Sequence, residues 1–148
     1  MPIHSTRLLQ FFQHFEAYYN RQFSPLLERS GLTMREVRVL LFLANNPDYD
    51  TARDVTVLRG ISKSQVSQAV ELLAAEGLLA RTPDPTDRRV VHLAITEAGW
   101  PLARECQATQ ERCVARLLTG LAPEEVRALE GLLETVMDNG ARLAGEVD

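Results

Sequence analysis

The stretch Ser62–Thr96, SKSQVSQAVELLAAEGLLARTPDPTDRRVVHLAIT, holds two elements with hardly a linker between them. Ser62 and Gln65 stand in the serine-x-x-glutamine spacing of a capping box, in which the hydroxyl accepts from the Gln65 amide and the glutamine side chain returns to the Ser62 amide. A helix is therefore predicted to begin at Lys63. At about 100° per residue, Val66, Ala69, Val70 and Leu73 share one apolar stripe, while Ser64, Gln65, Ser67 and Gln68 point elsewhere. Gly77 supplies the left-handed position that ends many helices. Leu78 to Thr82 and Val90 to Ile95 are then rich in β-branched and aliphatic residues, and Asp84-Pro85-Thr86-Asp87 between them is dense in turn formers. A two-stranded hairpin tipped by Asp87, Arg88 and Arg89 is the expectation.

The outward residues of this helix are short or carry amides, and amides form paired hydrogen bonds with adenine edges in the major groove of DNA. Arginine at the tip of a narrow ribbon suits a minor groove, where the negative potential is high. Asp87 would repel phosphate unless it holds an arginine in place through a short charged pair. A solvated hairpin tip is the alternative reading of the same residues.

Asp87, Arg89, Leu93, Ile95 and Thr96, followed by Glu97, Ala98 and Gly99, resemble the wing signature of the MarR family of bacterial transcriptional regulators, Asp-x-Arg-x-x-x-Leu-x-Leu-Thr with a nearby glycine. Ile95 replaces the second leucine. SKSQVSQAVELLAAEGLL is similar to the family's recognition helix and its exit into the wing, and the resemblance extends over the whole chain in length and order of elements. It implies a mainly α (α+β) fold: a winged helix-turn-helix with a two-stranded wing and a helical dimerisation lobe built from both ends of the chain. It further implies a homodimer on a palindromic operator in double-stranded DNA, acting as a repressor released by a small aromatic effector held between the lobes. His14 and Tyr18, with Phe11 and Phe15, are the candidate walls of that effector site.

The flanking sequence fits this plan. Leu8, Phe11, Phe12, Phe15, Tyr18, Tyr19, Phe23, Leu26 and Leu27 recur at steps of three and four, an amphipathic helix from about His4 to Arg29 with a break expected at Pro25. Six of the nine aromatic residues lie between Phe11 and Phe23. Thr33 with Glu36 caps a second helix, Met34 to about Ala44, and Thr51 with Asp54 caps a third running to about Leu58. Two short helices ahead of the Ser62 helix are what a helix-turn-helix requires, and the resemblance implies that the Thr51 helix crosses the DNA backbone, with Arg53 a candidate phosphate contact. After the hairpin, Thr96 is predicted to cap a helix with Glu97 in its first turn, running to about Leu118. Pro123 opens a last helix with Val126, Leu129, Leu132, Leu133, Val136 and Met137 in one stripe, ending near Gly140. The expected organisation is one domain over 1–148, with dimerisation helices in 1–30 and 97–148 and the DNA-reading lobe in 33–96.

Composition bounds the rest. A chain of 148 residues, 45% apolar and 24% charged, suits a folded globular protein. With no long apolar run and no signal-peptide pattern, the expectation is a cytoplasmic protein without membrane association. The net charge of −4 is unevenly spread. From Thr51 to His92, six basic residues (Arg53, Arg59, Lys63, Arg81, Arg88, Arg89) face five acidic ones (Asp54, Glu71, Glu76, Asp84, Asp87). That balance is too slight to locate a DNA-binding surface by charge alone.

Cys106 and Cys113 are seven apart on one helical face, a rise of about 10 Å that exceeds disulfide reach. Buried free thiols are expected. The peroxide-sensing branch of the resembled family carries a reactive cysteine in its first helix, and none is present here. His4, His14 and His92 are scattered and no cluster has metal-ligand spacing, so neither a metal nor a cofactor is expected, and His92 is read as an outward residue of the wing strand. Without a phosphate loop or a nucleophile–base pair, an enzyme is not expected. A second reading stays open: a ligand- or redox-responsive interaction protein that kept the fold without specific DNA binding.

Overall fold

A computed structural model describes residues 3–145; positions 1–2 and 146–148 of the expected lobes lie outside them. The chain divides into two compact units, 1–113 and 114–148. The first contains α1 (Ser5–Gln22), α2 (Ser24–Ser30), α3 (Met34–Asn45), α4 (Ala52–Arg59), α5 (Lys63–Ala75), β1 (Leu79–Pro83) and β2 (Val91–Ile95). Helix α6 (Trp100–Leu117) begins in it and α7 (Pro123–Gly145) forms most of the second.

The starts of α3, α4 and α5 follow the predicted caps. Thr33 and Glu36 close a complete capping box on α3, and Thr51 and Asp54 close another on α4. On α5 half of the expected box is present: Ser62 Oγ accepts from the Gln65 N–H at 3.3 Å, while no returning glutamine bond is seen among the described residues. The long first helix does break at Pro25, giving α1 and α2 around Phe23.

The exit of α5 explains why both strands start one residue later than predicted. Gly77, at φ 75°, donates its N–H to the Ala74 carbonyl at 3.0 Å, and Leu78 donates to the Leu73 carbonyl at 2.9 Å. These are the two bonds of a Schellman motif, so Leu78 finishes the helix and Leu79 opens β1. Val90 is used in the same way, accepting from Asp84 N–H and donating to the Asp87 carbonyl to close the loop. The strands pair antiparallel, Leu79 with Ile95 and Thr82 with His92.

A further backbone link was not legible in the hairpin alone. His92 bridges Thr51, and the Leu93 N–H donates to the Asp50 carbonyl at 2.7 Å, so the segment entering α4 is stitched to the wing.

One core lies under α3, α4, α5 and the strands, with Val39, Leu40, Val55, Val66, Ala69, Leu73, Leu79 and Leu93 among its buried residues. The predicted stripe of α5 is buried as expected. A smaller cluster joins Phe23 and Leu26 to Val37, Leu41 and Cys106.

Helix α6 starts at Trp100, later than predicted. Thr96 instead anchors a turn, donating its hydroxyl to the Gly77 carbonyl at 2.6 Å and accepting the Gly99 N–H at 3.0 Å. That turn brings Gly99 against β1: a Cβ there would sit 2.3 Å from the Leu78 carbonyl oxygen. Pro101 falls in the first turn of α6, where no helical N–H is lost. Helix α7 runs on past Gly140 to Gly145, and none of its residues is buried.

Candidate nucleic-acid interface

Four cations surround one groove. It measures about 520 Å³ and is lined by Arg53 and Thr56 of α4, Lys63, Ser67 and Glu71 of α5, Arg81 of β1 and Arg89 at the wing, over a floor that includes Val66, Val70 and Leu93. The groove holds one carboxylate, Glu71, so local positive charge is far more concentrated than the segment total suggested. Arg53, Lys63 and Arg81 have no ion-pair partner among the described residues.

Arg81 was counted in the sequence but not singled out. It stands two residues after Leu79, on the same face of β1 at the end where that face leaves the core, and it pairs with Leu93 across the ladder. The strand period was the signal that would have found it. Arg59, by contrast, was counted with the reading lobe and lines a different cavity.

Beside the groove, Ser62, Ser64, Gln65, Ser67 and Gln68 are all exposed along the first turns of α5. The four N-terminal N–H groups of a helix also favour anions, and no acidic side chain occupies the first turn of α5.

The wing tip is built by two carboxylates. Asp84 Oδ1 accepts the Thr86 N–H and hydroxyl, each at 2.9 Å, and the Asp87 N–H at 3.0 Å, fixing the turn. Asp87 accepts from Arg89 Nε at 3.2 Å and Nη2 at 3.3 Å, as well as from the Arg89 N–H at 3.0 Å. The Arg89 guanidinium holds the Asp87 carboxyl below the usual carboxylate range. The sequence expectation for Asp87 therefore matches the geometry: it orients Arg89, whose side chain remains 91% exposed. Arg88 is exposed next to it.

His92 lies on the outer face as expected, but with partners there. Nδ1 lies 2.8 Å from Asp50 Oδ1 and Nε2 lies 2.8 Å from Asp84 Oδ2. Both ring nitrogens donate to a carboxylate only when the imidazole is protonated. The Asp84 hydrogen bond, followed by that of Asp50, raises the His92 pKa, and His92 in turn holds Asp84 far below the usual range. The period-two reading placed His92 on the outer face correctly but could not see two carboxylates arriving there from Asp50 and from the turn.

The predicted effector walls are only partly brought together. A cavity of about 320 Å³ is lined by Phe15, Glu16, Tyr19, Asn20, Arg38, Arg59 and Gln110. Of the four expected residues only Phe15 lines it. Phe11 stacks on Phe15 at 6.1 Å and Tyr18 lies 6.4 Å from it, while His14 is exposed on α1 away from the lining. The helix turns Tyr19 inward instead, where burial raises its phenol pKa and Gln110 Nε2 donates to its hydroxyl at 3.2 Å. The Asn20 side-chain oxygen is buried here without a partner among the described residues. Cys106 and Cys113 are both buried free thiols, and burial pushes Cys106 up to about 12.

Residues 30–90 match the family model described as MarR family. An HTH-type transcriptional regulator of Bacillus subtilis, YwaE, itself uncharacterised, is 30% identical over 87 residues, which are 59% of this chain and 51% of the relative. The transcriptional repressor IacR of Pseudomonas putida is 29% identical over 122 residues, 82% of this chain and 72% of IacR. Among solved structures, BpsR of Bordetella bronchiseptica superposes with a TM-score of 0.67 at 27% identity, over 88% of this chain and 98% of BpsR. Residues 30–90 of this chain are therefore a MarR-family segment. The chain spans about half the length of YwaE. Within this winged helix-turn-helix fold the cationic groove lies between α5 and the hairpin. No described helix is long and apolar enough to cross a membrane.

Proposed function

We propose that this chain is a homodimeric, sequence-specific DNA-binding transcription regulator, a repressor released by a small-molecule effector. The observation that carries the reading is the groove in which Arg53, Lys63, Arg81 and Arg89 meet beside the exposed polar face of α5. In this reading α5 enters a major groove, with Ser64, Gln65, Ser67 and Gln68 toward base edges and nearby phosphates. Ser62 and Lys63 bind phosphate at the helix start, and Arg53 does so from α4. The wing lays Arg88 and Arg89 along the minor groove, with Asp87 keeping Arg89 extended. The two copies would read half-sites about 10 base pairs apart on a palindromic operator, held together by residues of 1–30 and 97–148.

The name of IacR supports repression, and the BpsR structure is described as a mechanism for regulation of DNA binding by 6-hydroxynicotinic acid, which supports an effector. Here the cavity beside Tyr19, with Arg38 and Arg59 on its rim, is the place we assign to one, in preference to the His14 face of α1. The alternative, a ligand- or redox-responsive partner protein without specific DNA binding, is disfavoured by the clustering of cations and by the burial of both thiols.

Arg89→Ala tests the wing. It should weaken binding to a site selected from random DNA by about tenfold, in the range of a lost charge-assisted contact, and leave the oligomeric state unchanged. Equal affinities at matched salt would remove the wing from the mechanism.

A further inference from the structure

Gln68 is held from behind. Arg35 Nη1 of α3 donates to its Oε1 at 2.6 Å. The same guanidinium donates from Nε to Glu36 Oε1 at 2.7 Å. Glu36 is fully buried, and its other oxygen accepts the Thr33 N–H at 2.8 Å together with the Thr33 hydroxyl. A continuous set of hydrogen bonds thus runs from the cap of α3 to the exposed face of α5, anchored at its inner end by a carboxylate that cannot swing away.

The chemistry of this contact is directional. A guanidinium only donates, so the amide oxygen must turn toward Arg35 and the planar carboxamide sends its NH2 group to the other side. A free glutamine offers donor and acceptor side by side, the pair that matches N6 and N7 of adenine. With its oxygen turned toward Arg35, Gln68 leads with its NH2 donors. Donors suit edges that only accept, which in the major groove are O6 and N7 of guanine and O4 of thymine.

We propose that Arg35 is a positioning residue that fixes Gln68 as a hydrogen-bond donor and so selects guanine or thymine over adenine at the base Gln68 reads. This rests on the DNA-reading function proposed above and adds the specificity of one position. Arg35 need not touch the DNA: its side chain is 32% exposed and its charge is partly spent on Glu36.

The experiment is selection of binding sites from a randomised duplex pool by the full-length protein and by Arg35→Met, Arg35→Lys and Gln68→Ala, followed by sequencing. The wild-type protein should enrich guanine or thymine at one position of each half-site, and Gln68→Ala should lose preference there. Arg35→Met, which keeps an apolar stem but no donor, should admit adenine at that same position by about fivefold or more. Arg35→Lys, which keeps a donor, should retain the wild-type base. A merely structural role for Arg35 would lower affinity for all sites alike without changing the base preferred.

An enriched site whose profile is identical for wild type and Arg35→Met overturns the inference alone, as does wild-type enrichment of adenine at the Gln68-dependent position or the absence of any such position. Failure of the wild-type protein to enrich any sequence overturns the DNA-reading function together with it.

Discussion

The region from α3 to β2 and the helix α7 have similar proportions of apolar residues and use them in opposite ways. In the first, Leu40, Val55, Val66, Leu73 and Leu93 are buried in a closed core. In α7, Leu132, Val136 and Met137 are each more than 60% exposed. Helix α1 behaves like α7, with Leu9 and Phe12 more than half exposed and no buried residue. An amphipathic stripe specifies that a face will be covered, and the covering surface can come from the same chain or from another. Exposed apolar stripes of this length are uncommon on a finished surface, which is why the terminal helices are the parts we assign to pairing of two copies.

That contrast is broken most sharply by paired substitutions. Leu40→Ala removes a side chain from a site with no exposure and should cost about 2–5 kcal/mol in urea unfolding, whatever the protein concentration. Leu132→Glu with Val136→Glu, one turn apart on the exposed stripe, should keep the helical circular dichroism and yield monomers in sedimentation velocity. Persistent dimers in the double variant would move the pairing surface off α7.

Gly99→Ala should cost about 1–3 kcal/mol, because the new Cβ meets a backbone carbonyl that has no rotamer to escape into. The loss belongs to the seam where the wing hands over to α6, and thermal unfolding reads it directly. An unchanged midpoint would show that the Thr96–Gly99 turn yields more easily than its hydrogen bonds suggest.

The smallest effect concerns pH. His92 has its pKa raised above 6.5 in the folded chain, so its contribution to stability is complete below about pH 6.5 and is lost as pH rises through the folded value. Asp84 is depressed below 3.8, so its contribution is present above that value and is lost as pH falls through the folded one. The Asp50–His92–Asp84 clamp is therefore fully formed from about pH 4 to about pH 6.5. The gap in urea midpoint between wild type and His92→Gln should be widest in that window and shrink toward pH 9. A gap that does not vary with pH would mean the ring is not held as an imidazolium.

How much of this was readable beforehand follows from the range of the interactions. The caps at Thr33, Thr51 and Ser62, the break at Pro25, the buried stripe of α5 and the Asp87–Arg89 pair all depend on residues within four positions of each other, and sequence spacing carries them. The joining of Asp50 to His92 and the grip of Arg35 on Gln68 connect residues 42 and 33 positions apart, and local pattern holds no record of them. His14 and Tyr18, expected as effector walls, do not line the cavity beside Tyr19 for a related reason. Periodicity identified the broad face of α1, but Tyr18 and His14 sit about 60° and about 100° around the helix from Phe15, off the cavity that Phe15 and Tyr19 line.

The central claim is that the terminal helices pair two chains while the segment from α3 to β2 reads DNA. Its most direct test is sedimentation velocity of the protein with a labelled duplex bearing its selected site, alongside a scrambled duplex of equal length at physiological salt. Two chains on the selected duplex, with no comparable complex on the scrambled one, is the result expected. One chain per duplex, or equal occupancy of both duplexes, would contradict it.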